Sequence, residues 1–325
     1  MKSWLLNWGF IIVFAFAGQN DTTLSFDTSE GTLISVDISP NGKTIAFDLL
    51  GHIYLMPSSG GTAEAITKGT SWNMLPRFSP DGEKILFTSD RSGSDDLWVQ
   101  NIKTGNMKNV SKMDIPVHQG TWSTDGKHVF GTALNMKVRH PVYRFNMYGK
   151  KQEIIPAGSR SPVNHFAMHP TNNLIYFSHG DGPLYRSGDR IKTYNIQNGE
   201  IKTYVDRAGG AANPTLSQDG KFLAYVHRDD RQTVLVVRNI QTNEEKIVNR
   251  NLDFDRMDGG SFYGSYTNMS WHPNNKEIFI SYDGGIHSVN VVTMKTKKIN
   301  FTARVKRQVK ETIRFKLDVP RDKAV

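Results

Sequence analysis

No cysteine occurs among the 325 residues of this chain. Its absence excludes a disulfide framework, a thiolate metal site, a cysteine nucleophile and a lipid-modified cysteine. The ten histidines contain no H-x-H or H-E-x-x-H pair, the spacings by which a metal hydrolase is usually recognised. A nucleophile elbow is missing too, because Gly259-Gly260-Ser261-Phe262-Tyr263-Gly264 departs from G-x-S-x-G by one residue. No glycine-rich phosphate loop opens a helix. Helical periodicity is absent after the first twenty residues, and hydrophobic content is modest at 38%. Thin sheets joined by polar loops suit that composition better than a thick helical core.

What the chain has instead is a recurring turn. Ser79-Pro80-Asp81-Gly82 presets φ at Pro80, lets Asp81 bond its own backbone and accepts a positive φ at Gly82. Copies begin at Ser39, Ser79, Ser123, His169, Ser217 and His272, separated by 40, 44, 46, 48 and 55 residues. Each is followed by short β-branched or aromatic runs, such as Ile85 to Thr88 and Leu97 to Asn101 around the polar loop Asp90 to Asp96. Repeats of about 40 to 50 residues, each with several short strands, predict a β-propeller, since one such unit buries its faces only by stacking on neighbours. The expected fold is therefore all-β, a six-bladed propeller of four-stranded antiparallel blades over residues 18–301.

Residues 1–17 differ from the rest. Lys2 precedes an apolar run from Trp4, and Ala15-Phe16-Ala17 is an A-x-A cleavage signal. As a helix the run from Trp4 to Ala17 spans about 21 Å, short of the roughly 30 Å hydrocarbon core. An export signal is expected, with a periplasmic or secreted destination and no membrane span after its removal. The net charge of +9 is concentrated: residues 304–325 carry eight basic and three acidic side chains, a net +5. No basic stripe interleaved with aromatics points to nucleic acid. Residues 302–325 read as a basic tail in which Ile313, Phe315, Leu317 and Val319 alternate like the start of a further domain. Asp21 to Asp27 is expected to add to the last blade, if to any.

The repeats resemble the PD-type propeller repeats of TolB proteins, of tricorn-type proteases and of the N-terminal regions of large exported amidohydrolases. Residues 30–54 (EGTLISVDISPNGKTIAFDLLGHIY) are similar to the first blade of the amidohydrolase group, and Pro76 to Gly82 with Ser89 to Trp98 to its second. From His169 onward the likeness loosens, because Thr-Asn-Asn and Asn-Asn replace Asp-Gly. The resemblance implies further blades and a metal-dependent hydrolase barrel downstream, and it carries no catalytic residue onto this chain.

A site on such a ring is expected where loops on a rigid scaffold converge, at the funnel between second and third strands and between successive blades. The candidates there are Trp72, Asn73, Arg91, His118, His140, His165, His179, Arg186, Asn213, Arg228, Tyr263, Tyr266 and Asn268. Arginines, histidines and aromatics together suit a polar peptide or a carboxylate group. No catalytic residue, metal ligand or cofactor is assigned. A protein or peptide ligand at the funnel is expected, in a non-catalytic binding, gating or scaffold module; a freestanding TolB-like scaffold and a propeller hydrolase or lyase using His140, His165 and His179 are the alternatives.

Overall fold

The recurring turn closes in the same way in four of its copies. In the second, Ser79 Oγ accepts from Lys84 N at 2.9 Å and donates to Asp81, whose Oδ1 accepts from Glu83 N at 3.0 Å. The turns at Ser39, Ser123 and Ser217 repeat these bonds. A short hydroxyl at the first position and an oxygen two residues on satisfy backbone donors that no strand partner reaches.

From each turn the chain runs outward through antiparallel strands. The computed structural model describes residues 22–135, 140–155, 163–180, 189–257 and 264–309. Blade one comprises Val36–Ile38, Thr44–Leu49, His52–Pro57 and Gly61–Ala65. Blade two comprises Asn73–Phe78, Lys84–Ser89, Asp96–Asn101 and Met107–Asn109, and blade three Val117–Trp122, His128–Ala133, Val142–Asn146 and Lys151–Ile155. Blade four comprises Asn164–Met168, Leu174–His179, Arg190–Asn195 and Ile201–Val205, and blade five Ala212–Leu216, Phe222–Asp229, Gln232–Asn239 and Glu245–Asn249. Blade six comprises Ser270–Trp271, Glu277–Tyr282, Gly285–Asn290 and Thr296–Ile299. The expected all-β, six-bladed propeller is present, each blade running from an inner to an outer strand in chain order. Among the described residues no helix is long and apolar enough to cross a membrane.

The core is divided among the junctions between blades. Ala46 and Ile53 of blade one pack with Phe78, Ile85 and Phe87 of blade two, and comparable clusters join blades two to three, three to four, four to five and five to six. The sixth joins Ile34, Phe47 and Tyr54 of blade one to Phe279, Ile286 and Ile299 of blade six. This junction shares no strand between the two blades; backbone bonds from Val36 N to Asn268 O at 3.1 Å and from Gly31 N to Gly284 O at 3.0 Å seal it. Second strands, covered on both faces, are buried almost throughout, as at Lys84–Ser89. Outer strands such as Lys151–Ile155 face solvent.

The turns also interlock around the ring. A β-carbon at Gly42 would lie 2.5 Å from His272 Nε2 of blade six, and one at Gly220 2.7 Å from His169 Cε1 of blade four. Gly82 and Gly126 face Pro40 and Pro80 of the preceding blades at the looser distances of 3.4 and 3.6 Å. Glycine thus stands where the preceding turn offers proline or histidine. Asn172 and Asn275 stand in that place where the preceding turns offer Thr124 and Gln218 instead.

Two expectations are corrected at the outer edge of blade one. Thr22–Thr28 pairs antiparallel with Phe301–Val309, which in turn runs parallel to Gly61–Ala65 through Phe301, Thr302 and Ala303. The N-terminal strand therefore joins blade one rather than the last blade, and residues 302–309 extend a sheet of six strands rather than opening a tail. Ala303 and Val305 are fully buried against blade one, which draws the strand there. Arg307 fastens it, donating to Thr70 O at 2.7 Å and Ser71 O at 2.8 Å while lying over the Trp72 ring. Residues 1–17 and the alternating run from Ile313 lie outside the described residues.

Candidate functional site

The inner strands of all six blades run side by side around one axis, and they treat its two ends differently. At their starts the axis is filled. Gln119, His165, Asn213 and Asn268 are each at most 5% exposed. His165 Nε2 lies 2.8 Å from Tyr266 O, Asn213 Nδ2 donates to Thr267 O, and Asn268 N donates to Ser35 Oγ at 3.3 Å. Gln119, His165 and Asn213 take positive φ values of 51° to 59° where the inner strands bulge.

The loop-side candidates fall into separate groups around this filled end. Asn73 is buried and donates to Gly51 O at 2.8 Å, and its Oδ1 accepts from Arg91, whose guanidinium also lies over Phe87 and Trp98. Trp72 is 41% exposed, with its amide bonded to Asp90. His118 Nε2 lies 3.2 Å from Asp95 Oδ2. Burial pushes the His118 imidazole down to about 4, and burial, then the neighbouring Asp90 and Asp96, raises Asp95. The pair is therefore a hydrogen bond involving a neutral imidazole. Arg228 pairs with the fully buried Asp255 carboxylate and stacks on Phe254. Tyr266 donates to Ser281 O at 3.1 Å. His179 meets Phe177 edge-on at the end of Leu174–His179, and His140 is half-buried before Val142. The fold brings His165, Asn213, Tyr266 and Asn268 together, and it does not bring His140 or His179 into a shared cluster with them. Arg186 and Tyr263 lie outside the described residues. No three histidine, aspartate or glutamate side chains among the described residues converge as a metal site would require.

At the other end, where the inner strands run into the recurring turns, the axis opens into a cavity of about 340 Å³. All six blades contribute to its wall. The residues two places before each turn, Asp37, Arg77, Thr121, Ala167, Thr215 and Ser270, face it in a ring. Phe78, Trp122, Phe166, Met168 and Trp271 supply its apolar surface, and Pro40, Pro80 and Pro170 its rim. Both indole N–H groups are spent on backbone: Trp122 Nε1 donates to Arg77 O at 3.1 Å and Trp271 Nε1 to Thr215 O at 3.2 Å.

Two charged side chains line this cavity, and they sit together. Asp37 Oδ2 accepts from Phe78 N at 2.7 Å, and its Oδ1 lies 3.6 Å from Arg77 Nη1. Arg77 Nη1 also reaches Met269 O at 3.4 Å, spanning from blade two to blade six. Burial is the main influence on both groups: it raises the Asp37 carboxyl, opposed by Arg77, and lowers the Arg77 guanidinium, opposed by Asp37. Neither residue is among the candidates that sequence reasoning singles out. The signal that could have found them is an opposite charge at the same repeat position in adjacent blades, a position that holds Thr121, Ala167, Thr215 and Ser270 in the other four.

A closed ring of six four-stranded repeats about a central axis is a β-propeller. Residues 11–208 match the PD40 TolB beta propeller domain, and the chain belongs to that family. It is similar to the uncharacterized peptidase YuxL of Bacillus subtilis, 23% identical over 54% of this chain and 24% of that protein. It is also similar to the uncharacterized protein Atu1656 of Agrobacterium fabrum, 25% identical over 62% of this chain and 72% of the relative. TolB from Acinetobacter baumannii shares the fold with a TM-score of 0.64 at 17% identity, over 83% of this chain and 66% of that one. The chain thus spans about a quarter of YuxL and about two thirds of that TolB.

Proposed function

We propose that this chain is a non-catalytic binding module that holds a protein or peptide segment in the cavity at the turn-side mouth of its axis. The supporting observation is the cavity wall itself: six blades contribute hydroxyls, aromatic surface and one ion pair, and no histidine stands among the lining residues. Such a wall offers shape, stacking and hydrogen bonds, which are the means of recognition. The likeness to TolB and the apolar N-terminal segment favour a periplasmic or secreted setting, with residues 1–17 as an export signal. The likeness of the first two blades to exported amidohydrolases, together with the alternating run from Ile313, favours the ring as the N-terminal part of a larger protein with a downstream catalytic domain.

The absence of cysteine supplies a clean test. Thr124→Cys at the cavity rim and Tyr148→Cys on the exposed outer surface each give one attachment point for a photoreactive label. Irradiation in envelope extract should yield a polypeptide adduct at position 124 and none at position 148. Equal labelling at both positions, or none at 124, would refute the reading.

A further inference from the structure

We infer that the cavity binds a ligand carboxylate and that Arg77 is the residue that holds it, a reading that rests on the peptide-binding role above. Arg77 is only 13% exposed at its side chain, yet its contacts engage Nη1 alone, at 3.4 and 3.6 Å. Its Nε and Nη2 have no partner among the described residues. A guanidinium withdrawn from water with an unused donor edge facing an open cavity is suited to a planar, two-oxygen acceptor.

The charge balance selects a carboxylate over a phosphate. Asp37 and Arg77 are the only charged groups among the described lining residues, and their charges cancel when both are ionised. A phosphate would bring close to two negative charges into it, a carboxylate one. Asp37 meets Arg77 at Nη1 and not at its free edge, because its Oδ2 is held by Phe78 N and its Oδ1 lies 3.6 Å from Nη1. Its carboxyl is already raised by burial. A second carboxylate beside it raises it further, and Asp37 takes up the proton that restores neutrality. The apolar part of the ligand then lies against Phe166, Met168 and the two indole rings.

Such a carboxylate comes either from a peptide C-terminus or from an aspartate or glutamate side chain, and the two are separable. Three pools of N-acetylated tripeptides serve as probes for equilibrium dialysis: free acids without acidic residues, C-terminal amides containing aspartate or glutamate, and amides without either. Retention of the first pool assigns the chain terminus, and of the second the side chain, at an affinity at least about tenfold above the neutral amides. Arg77→Gln should abolish the preference while keeping a cooperative urea transition that shows the ring is folded, and Arg77→Lys, which keeps a cation beside Asp37, should restore part of it. Calorimetry of the retained pool in two buffers of different ionisation enthalpy should show net proton uptake on binding. Equal retention of all three pools would overturn the carboxylate assignment and leave the peptide-binding reading standing. Retention of none would overturn both. A preference that survives Arg77→Gln, or binding without proton uptake, would overturn the roles assigned to Arg77 and Asp37.

Discussion

Substituting Gly42 by alanine tests the interlocked turns. Gly42 has a φ of +73°, and a β-carbon there would sit 2.5 Å from His272 Nε2. The backbone conformation alone costs an L-residue about 1–2 kcal/mol. Displacing a packed imidazole adds roughly 1–3 kcal/mol, so Gly42→Ala should lower stability by about 2–5 kcal/mol. The second part belongs to the contact and can be removed separately. His272→Ser installs the residue found at the equivalent Ser39, Ser79, Ser123 and Ser217, whose hydroxyl closes the turn without reaching the next blade. In that background Gly42→Ala should cost only the backbone part. Urea unfolding of the four proteins gives the coupling directly, expected at about 1–3 kcal/mol. Additivity within about 0.5 kcal/mol would show that glycine is needed at that turn for its φ alone, and the contact with His272 would carry no weight.

Further expectations concern buried ionisable groups. Asp48 bridges blades one and two by accepting from Ser35 N and Leu75 N, both at 2.7 Å, and burial raises its carboxyl to about 7. Because the unfolded chain loses this proton near 3.8, stability should fall as pH rises from 4 to 7, by up to about 4 kcal/mol. Asp48→Ser copies Ser178 of blade four, which accepts from Asn213 N of blade five, and should flatten that slope in urea titrations at pH 5 and 8; an unchanged slope counts against the assignment. His118 acts in the opposite sense: its folded form stays neutral down to about 4, so its contribution is lost as pH falls below the ordinary histidine value of 6.5. Its ring resonances should hold still between pH 8 and 5.5 in an NMR titration, and a midpoint near 6.5 would contradict the burial argument. Asp255→Ala removes the buried partner of Arg228 and of Thr233 Oγ1 and should lower the unfolding free energy by about 3–5 kcal/mol. A loss below 1 kcal/mol would show that Arg228 finds solvent instead.

The ring itself was legible because each blade repeats its own turn chemistry. Ser, Pro, Asp and Gly at fixed offsets are local signals, and strands such as Lys84–Ser89 and Asp96–Asn101 fall within a residue or two of where hydrophobic alternation places them. The outer ribbon on blade one was not legible. Phe301, Ala303 and Val305 alternate as a last strand of blade six would, and nothing local says that their partners are Thr22–Thr28 and Gly61–Ala65, more than 230 residues away. The cavity was hidden for a related reason. Asp37 and Arg77 are forty residues apart, and their common position becomes apparent only when the residue two places before every turn is compared. The loop-side candidates stand out by residue type. Type does not reveal that His165 and Asn213 reach Tyr266 O and Thr267 O and that Asn268 is buried beside them, filling one end of the axis.

The pairing of Thr22 with Val309 has a consequence for how this ring is carried. Both flanks of the chain leave the disc at neighbouring points on one blade's rim, like the two ends of a clasped bracelet. Traction on either flank is borne first by the two-stranded ribbon, not by the seam between blades one and six. The cavity opens along the axis, whereas the clasp lies on the outer rim of blade one.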